Sequence, residues 1–178
     1  VGSEMCIRDR LSCTDSKFDE QPQLPPIEED GGKGEIPVSG YDEPYRPLIH
    51  YTPAKNWVND PNGMVYVDGV YHLFYQYNPQ GNEWGNLSWG HATSTDLIKW
   101  KEQPVALTRD ELGDIFSGSA VYDKNNTAGF GTSTIVAIYT SSGQYQQQSL
   151  AYSTDGQTFT KYTQNPIIAN STEPDFRD

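Results

Sequence analysis

The most constraining feature of this sequence is a series of short segments that alternate apolar and polar residues and are separated by tight-turn signals. The clearest example runs from Gly63 to Tyr77, where two such segments flank Asp68-Gly69. Asp-Gly suits the positive φ values of a type I′ turn, so this stretch predicts a β-hairpin. No window of helical period competes, and the predicted fold class is all-β. Further strands are predicted at residues 89–95, 116–122, 134–140, 149–153 and 157–162.

A short pattern occurs twice in the chain, 59 residues apart. Residues 92–96 and 151–155 both contain an alanine, one further residue and then Ser-Thr-Asp, and an aromatic residue follows four positions after each aspartate. These aromatic residues are Trp100 and Phe159. Repetition at such an interval is typical of β-propeller blades of about four strands each. We therefore expect Trp100 and Phe159 to lie in the cores of successive blades.

Charge and cysteine content divide the chain into two parts. Residues 1–43 hold 11 of the 24 acidic residues, 4 of the 12 basic residues and both cysteines. The remainder has no cluster of Lys and Arg, which excludes a nucleic-acid partner, and no cysteine that could form a disulfide framework or a cysteine-rich zinc site. No stretch approaches the roughly 18 apolar residues that a membrane-spanning helix needs.

We place domain boundaries after residues 10 and 43. Residues 1–10 resemble translated adapter sequence, and we expect them to be an artefact. Residues 11–43 are rich in Pro, Glu, Asp and Gly and are predicted to be a disordered acidic tether. Within it, Leu11-Ser12-Cys13 resembles the end of a bacterial lipoprotein signal, which would make Cys13 a lipidated membrane tether and the protein a surface or periplasmic lipoprotein. The alternative is an unmodified thiol. Residues 44–178 hold the predicted propeller strands.

The densest set of turn-forming residues in the chain runs from Trp57 to Gly63, at the entry to the predicted hairpin. Its sequence, Trp-Val-Asn-Asp-Pro-Asn-Gly, pins the Asp60 carboxylate in a tight turn and places an aromatic ring three residues before it. A fixed carboxylate, neighbouring amides and an apolar ring are the parts that a sugar site needs. On spacing alone, an ordinary surface turn remains the alternative.

Residues 57–63 also resemble the signature of glycoside hydrolase family 32, the β-fructosidases that include invertases, levanases and inulinases. Further matches follow in the family's order at residues 74–79, 84–85, 89–94, 116–119 and 176–178. The resemblance implies a five-bladed β-propeller whose active site lies in the central funnel. This chain would hold about the first two blades.

The resemblance also implies roles for individual residues. Asp60 resembles the catalytic nucleophile, and Asp178 resembles the carboxylate that binds fructose hydroxyls and stabilises the transition state. The implied reaction is retaining hydrolysis of β-fructofuranosidic bonds in levan, inulin or sucrose, with no cofactor and no metal. Residues that match the family's fructose subsite are Trp57, Asn59, Gln76, Trp84, Phe116, Ser117 and Arg177.

The chain departs from the family in one respect, because it contains no Glu-Cys pair, the motif that carries the family's general acid. No motif supports Glu173 as a substitute, so we expect it to be a solvated loop acid and the chain alone to be inactive. The alternatives are a non-catalytic carbohydrate-binding propeller and a related five-bladed family acting on arabinan or xylan. His50, His72 and His91 lack metal-ligand spacing, which favours packing or hydrogen bonding.

Overall fold

A computed structural model describes residue 41, residues 43–47 and residues 49–177. No helix among these described residues is long and apolar enough to cross a membrane. The predictions for residues 1–10, for nearly all of the 11–43 tether including Cys13, and for Asp178 lie outside the described residues. The described strands are β1 (Val58–Val67), β2 (Val70–Tyr77), β3 (Ser88–Ser94), β4 (Trp100–Leu107), β5 (Asp114–Asp123), β6 (Thr134–Ser142), β7 (Gln146–Ser153) and β8 (Thr160–Lys161).

These strands form two four-stranded antiparallel sheets, with orders β1-β2-β3-β4 and β5-β6-β7-β8. Consecutive strands are always neighbours, as in the blades of a propeller. We call the first sheet blade 1 and the second blade 2. The two blades meet mainly through their first strands, β1 and β5. The all-β prediction and the expectation of about two blades are confirmed.

The hairpin predicted at Asp68-Gly69 joins β1 to β2. Asp68 has a φ of 47° and Gly69 a φ of 89°, and Val67 pairs with Val70 across the turn. Both central residues therefore have the positive φ that a type I′ turn requires.

The 59-residue repeat corresponds to the turn after the third strand of each blade. In blade 1, the Asp96 carboxylate accepts the backbone N–H groups of Ile98 and Lys99 at 2.9 and 2.8 Å. In blade 2, the Asp155 carboxylate accepts those of Gln157 and Thr158 at 2.8 and 2.7 Å. Hydrogen bonds from these backbone groups lower the pKa of both carboxyls, that of Asp155 to about 2.

The last strand of each blade differs from the prediction. Residues 157–162 were expected to form a strand, but β8 spans only Thr160–Lys161 because the Asp155 turn engages the backbone of residues 157 and 158. The sequence did not predict β4, which contains Pro104. Proline is tolerated there because β4 lies at the edge of blade 1 and need not donate along its whole length.

The main hydrophobic core lies between the blades. Blade 1 contributes Phe74 and Trp89, and blade 2 contributes Ile115, Ala137 and Tyr139, all of which are fully buried. Phe159 packs against this core, whereas Trp100 packs against a second cluster on the other face of blade 1. Because one core is shared, the relative position of β1 and β5 depends on packing between the blades.

Candidate active site

We call β1 and β5, the strands through which the two blades meet, the inner strands. Both have an irregular register. In β1, Val58 pairs with Tyr77 and Pro61 with Tyr75, so Asn59 and Asp60 together lie opposite one residue. In β5, Ile115 pairs with Ser141 and Gly118 with Tyr139, so residues 116 and 117 lie opposite one residue. Each is a two-for-one β-bulge, which takes side chains out of the strict alternation of a strand.

The bulge in β1 brings Asp60 close to blade 2. The Ser117 hydroxyl donates to Asp60 Oδ2 at 3.1 Å. Gly63 lies three residues after Asp60, with a φ of 46°, and a Cβ there would lie 2.8 Å from the Ala120 Cβ on β5. Only glycine satisfies both this φ and this close approach. The last residue of the Trp57–Gly63 motif therefore lets the two inner strands approach each other.

A cleft of about 280 Å³ opens over the two bulges. It contains every described residue that the sequence assigned to the site. The structure also adds Leu87, which the sequence analysis missed; its signal was an apolar residue between two tryptophan-containing motifs. The cleft is lined by Trp57, Asn59, Asp60, Gln76, Trp84, Leu87, Phe116, Ser117 and Arg177.

One loop supports both tryptophans of the cleft. The backbone N–H of Trp57 donates to the Gly81 carbonyl at 3.0 Å, and the Trp57 carbonyl accepts from the Asn78 N–H at 3.1 Å. Asn78 Nδ2 closes the same loop by donating to the Glu83 carbonyl at 2.8 Å. Trp84 follows directly and is 65% exposed. The two tryptophans of the cleft thus depend on residues 78–84, whereas its third aromatic side chain, Phe116, lies on β5.

The polar groups of the cleft are suited to a ligand with several hydroxyls. Gln76 is 3% exposed, and neither of its amide atoms has a hydrogen-bond partner among the described residues. A buried amide without a partner is costly unless a ligand or water satisfies it. Among the described residues, Asp60 is the only acid that lines the cleft and Arg177 the only base. A carboxylate, a buried amide and aromatic walls together can bind a sugar ring.

Two predictions about residues outside the cleft can be compared with the structure. Glu173 is exposed and does not line the cleft, as expected of a loop acid. His72 Nδ1 and His91 Nε2 lie 3.1 Å apart, so one ring donates its N–H and the other accepts it. The His91 ring also stacks on Phe74. No cluster of potential metal ligands occurs in the described part of the chain.

Burial changes the protonation of this histidine pair. His91 is fully buried, and burial, with a smaller contribution from the nearby His72, lowers its pKa to about 3. Burial also lowers the pKa of His72. Both rings are therefore neutral at pH 7, and they are buried on β2 and β3 of blade 1.

The structure has two propeller blades and a carboxylate-bearing cleft where their inner strands meet. These features are typical of propeller proteins that bind or cleave sugars. Comparison with known proteins makes this more specific. The sequence matches the glycosyl hydrolases family 32 N-terminal domain over residues 50–178. The chain belongs to this family, as the motif resemblance implied.

Individual relatives agree with this assignment. The chain is 60% identical over 145 residues to a levanase of Bacillus subtilis, a match that covers 79% of the chain and 21% of the levanase. It is 50% identical over 147 residues to invertase 2 of Saccharomyces cerevisiae, covering 75% and 27% respectively. The chain thus spans between a fifth and three tenths of the length of these relatives.

The fold is also similar to that of a solved family member. The crystal structure of exo-inulinase from Aspergillus awamori matches with a TM-score of 0.68 and 49% sequence identity. This match covers 75% of the present chain and 31% of the exo-inulinase. The two blades therefore correspond to part of a larger propeller fold in this relative.

Proposed function

We propose that the full-length protein hydrolyses β-fructofuranosidic bonds in fructans or sucrose. The observation that carries this proposal is the cleft itself, in which Asp60, its hydroxyl donor Ser117 and the buried amide of Gln76 face one space between two tryptophans. The names of the relatives, levanase, invertase and exo-inulinase, support the same substrate class.

The proposed mechanism is a double displacement with retention at the anomeric carbon. Asp60 attacks C2 of the fructosyl group as the bond to the leaving oxygen breaks, and a general acid protonates that oxygen. Water then gives a proton to the carboxylate left by the general acid, attacks C2 of the fructosyl-enzyme, and releases fructose and the free Asp60 carboxylate. The Ser117 hydroxyl, 3.1 Å from Oδ2, holds the nucleophile in one orientation.

A second carboxyl is needed to protonate the leaving group. Asp60 is the only acid among the described residues that line the cleft, so this carboxyl must belong to a residue that is not among them. For retention it should lie about 5–5.5 Å from the Asp60 carboxyl. We assign to Asp178, the neighbour of the cleft residue Arg177, the binding of fructose hydroxyls and the stabilisation of positive charge on the ring.

The decisive experiment compares two Asp→Asn variants of the full-length protein on levan, inulin and sucrose. Asp60→Asn should lower kcat on the order of 10⁴-fold, because the amide cannot act as a nucleophile. Asp68→Asn is the matched control: it makes the same chemical change at the other end of β1, in a turn where asparagine also accepts positive φ. It should keep wild-type turnover.

Two results would contradict the proposal. One is near-normal hydrolysis by Asp60→Asn, which would remove the assigned nucleophile. The other is a wild-type protein that binds fructans but does not cleave them, which would favour a carbohydrate-binding propeller. A third measurement tests the stereochemistry: NMR of the first fructose released should show the β-anomer, and an initial α-anomer would contradict the double displacement.

We also propose that the protein is exported and tethered through Cys13. The support is the resemblance of Leu11-Ser12-Cys13, followed by an acidic linker, to a lipoprotein signal. Expression of the complete gene in a bacterial host and mass spectrometry of the membrane fraction test this. Diacylglyceryl-modified Cys13 is expected, and a soluble protein with a free thiol at this position would contradict it.

A further inference from the structure

We infer that Trp89 is a positioning residue for the nucleophile, although it does not line the cleft. This inference rests on the proposed function. Trp89 lies on β3, is fully buried, and donates its indole N–H to the backbone carbonyl of Phe116 at 3.0 Å. Phe116 is the first residue of the β5 bulge, so the bond connects the core of blade 1 to the part of blade 2 that contacts Asp60.

Hydrogen bonds connect the β5 bulge to blade 1. They involve both bulge residues and the residue on either side of the bulge. The Ile115 N–H donates to the Leu87 carbonyl at 3.0 Å before the bulge. After the bulge, the Gly118 N–H faces the side-chain oxygen of Asn62 at 3.4 Å. Within it, Phe116 is held by Trp89, and Ser117 donates to Asp60.

A bulge needs such support because its residues are not fixed by the regular ladder. Phe116 and Ser117 share one opposing residue on β6, so the ladder cannot determine where their carbonyls and side chains point. The indole N–H determines the orientation of the peptide bond between Phe116 and Ser117. The direction of the Ser117 hydroxyl follows from that orientation. Loss of this bond should therefore change the Asp60–Ser117 geometry.

The Trp89 ring is itself held firmly. It lies between Phe74 of blade 1, at a centroid distance of 5.8 Å, and Tyr139 of blade 2, at 6.1 Å. Tyr139 is the register partner of Gly118, the residue that ends the bulge. On β2, the register partner of Trp89 is Gln76, the buried amide of the cleft. Trp89 thus lies beside both the β5 bulge and Gln76, which explains how it can act from outside the cleft.

The test replaces Trp89 in the full-length protein with its sulfur isostere, 3-benzothienylalanine, which keeps the ring volume and removes only the N–H. Trp89→Phe is the genetically encoded companion, and Leu107→Ala is the control for packing loss. Leu107 is buried in the same core and is the register partner of Trp89 on β4. The isostere should lower kcat about 10-fold with little change in KM, whereas Leu107→Ala should lower thermal stability and leave kcat near the wild-type value.

Two further measurements separate positioning from general packing. In the Ser117→Ala background, removal of the indole N–H should cost less than 2-fold in kcat, because Trp89 acts through Ser117. Hydrogen exchange of peptides spanning residues 114–119 should become about 10-fold faster in the isostere and unchanged in Leu107→Ala; this readout does not depend on catalysis. An unchanged exchange rate, or kcat losses that multiply with Ser117→Ala, would overturn the inference. A wild-type protein that cleaves no fructoside would instead overturn the proposed function.

Discussion

Each of the two inner strands contributes a β-bulge to the cleft, but the two bulges present different residues. The β1 bulge presents Asn59 and Asp60, and the β5 bulge presents Phe116 and Ser117, at equivalent places in two blades of the same topology. One bulge carries the proposed reacting carboxylate and the other carries the hydroxyl that orients it. The site is therefore formed where two irregular strands meet, and neither blade contains it alone.

The blades differ in how they support their bulges. Blade 1 contains most of the aromatic packing, with Phe74, Trp89 and the histidine pair stacked in its core. Blade 2 contributes fewer aromatic residues to the same core, which it meets with Ile115, Ala137, Tyr139 and Ala151. The β5 bulge therefore takes its position from contacts across the interface between the blades.

The largest effect on this comparison is expected from Gly118→Ala, which removes the room at the end of the β5 bulge. A Cβ at Gly118 would lie 2.1 Å from the Ile138 carbonyl oxygen, a backbone atom that cannot turn away. We expect a loss of at least about 3 kcal/mol in the free energy of unfolding and loss of activity. Thermal unfolding of the full-length protein measures the loss.

The matched variant in blade 1 is Gly90→Ala. A Cβ there would meet the end of the Tyr75 ring at 2.1 Å, and a side chain can move at the cost of its 2.9 Å hydrogen bond with Tyr51. We expect a smaller loss, about 2 kcal/mol. Equal losses for the two variants would show that the bulge is no more constrained than the regular strand.

Acid should destabilise blade 1 through His91. Its pKa is about 3 in the folded protein against about 6.5 in the unfolded chain, so below pH 6.5 the unfolded chain binds a proton that the folded protein does not. Stability should therefore fall as the pH falls from about 6.5 towards 3, by about 2 kcal/mol at pH 5. The lowered carboxyl pKa values of blade 2, such as that of Asp155 at about 2, affect stability only below about pH 4.

Thermal unfolding at pH 7 and pH 5 tests this assignment. His91→Gln should reduce the difference between the two pH values, since the amide does not titrate. His50→Gln is the control, because His50 is exposed and outside the pair. If His91→Gln kept the full acid sensitivity, the sensitivity would have to originate elsewhere in the protein.

The smallest effects are expected at the turn that the blades share. The Ser94 hydroxyl accepts the N–H groups of Asp96 and Leu97 and donates to the Asp96 carboxylate. Among the described contacts, Ser153 makes only the equivalent donated bond, to Asp155 at 2.9 Å. Ser94→Ala should therefore cost about 1–2 kcal/mol and Ser153→Ala about 0.5–1 kcal/mol. Thermal melts of the two variants measure the order, and a reversed order would contradict the comparison.

The sequence predicted those features that depend on local chemistry. Asp68-Gly69 and the two Ser-Thr-Asp turns act through neighbouring backbone, so their geometry follows from a few adjacent residues. The described members of the predicted site do line one cleft, because the family's motifs mark them. The proposed roles of these residues await the experiments above.

Features that depend on long-range register could not be predicted in the same way. His72 and His91 are 19 residues apart and meet only because β2 and β3 pair in one particular register. The indole bond of Trp89 to Phe116 spans 27 residues and two blades. Neither pair has a spacing signal in the sequence that connects its two members.

The loop of residues 78–84 and the two bulges contribute to different parts of the cleft. Asp60, the proposed nucleophile, and Ser117 belong to the sheets, whereas Trp57 is bonded to this loop through the backbone of Asn78 and Gly81, and Trp84 is the last residue of the loop. A longer or shorter loop would therefore change the positions of these two tryptophans. Under the proposed function, loops of different length grafted at residues 78–84 should change which sugar chains enter the cleft.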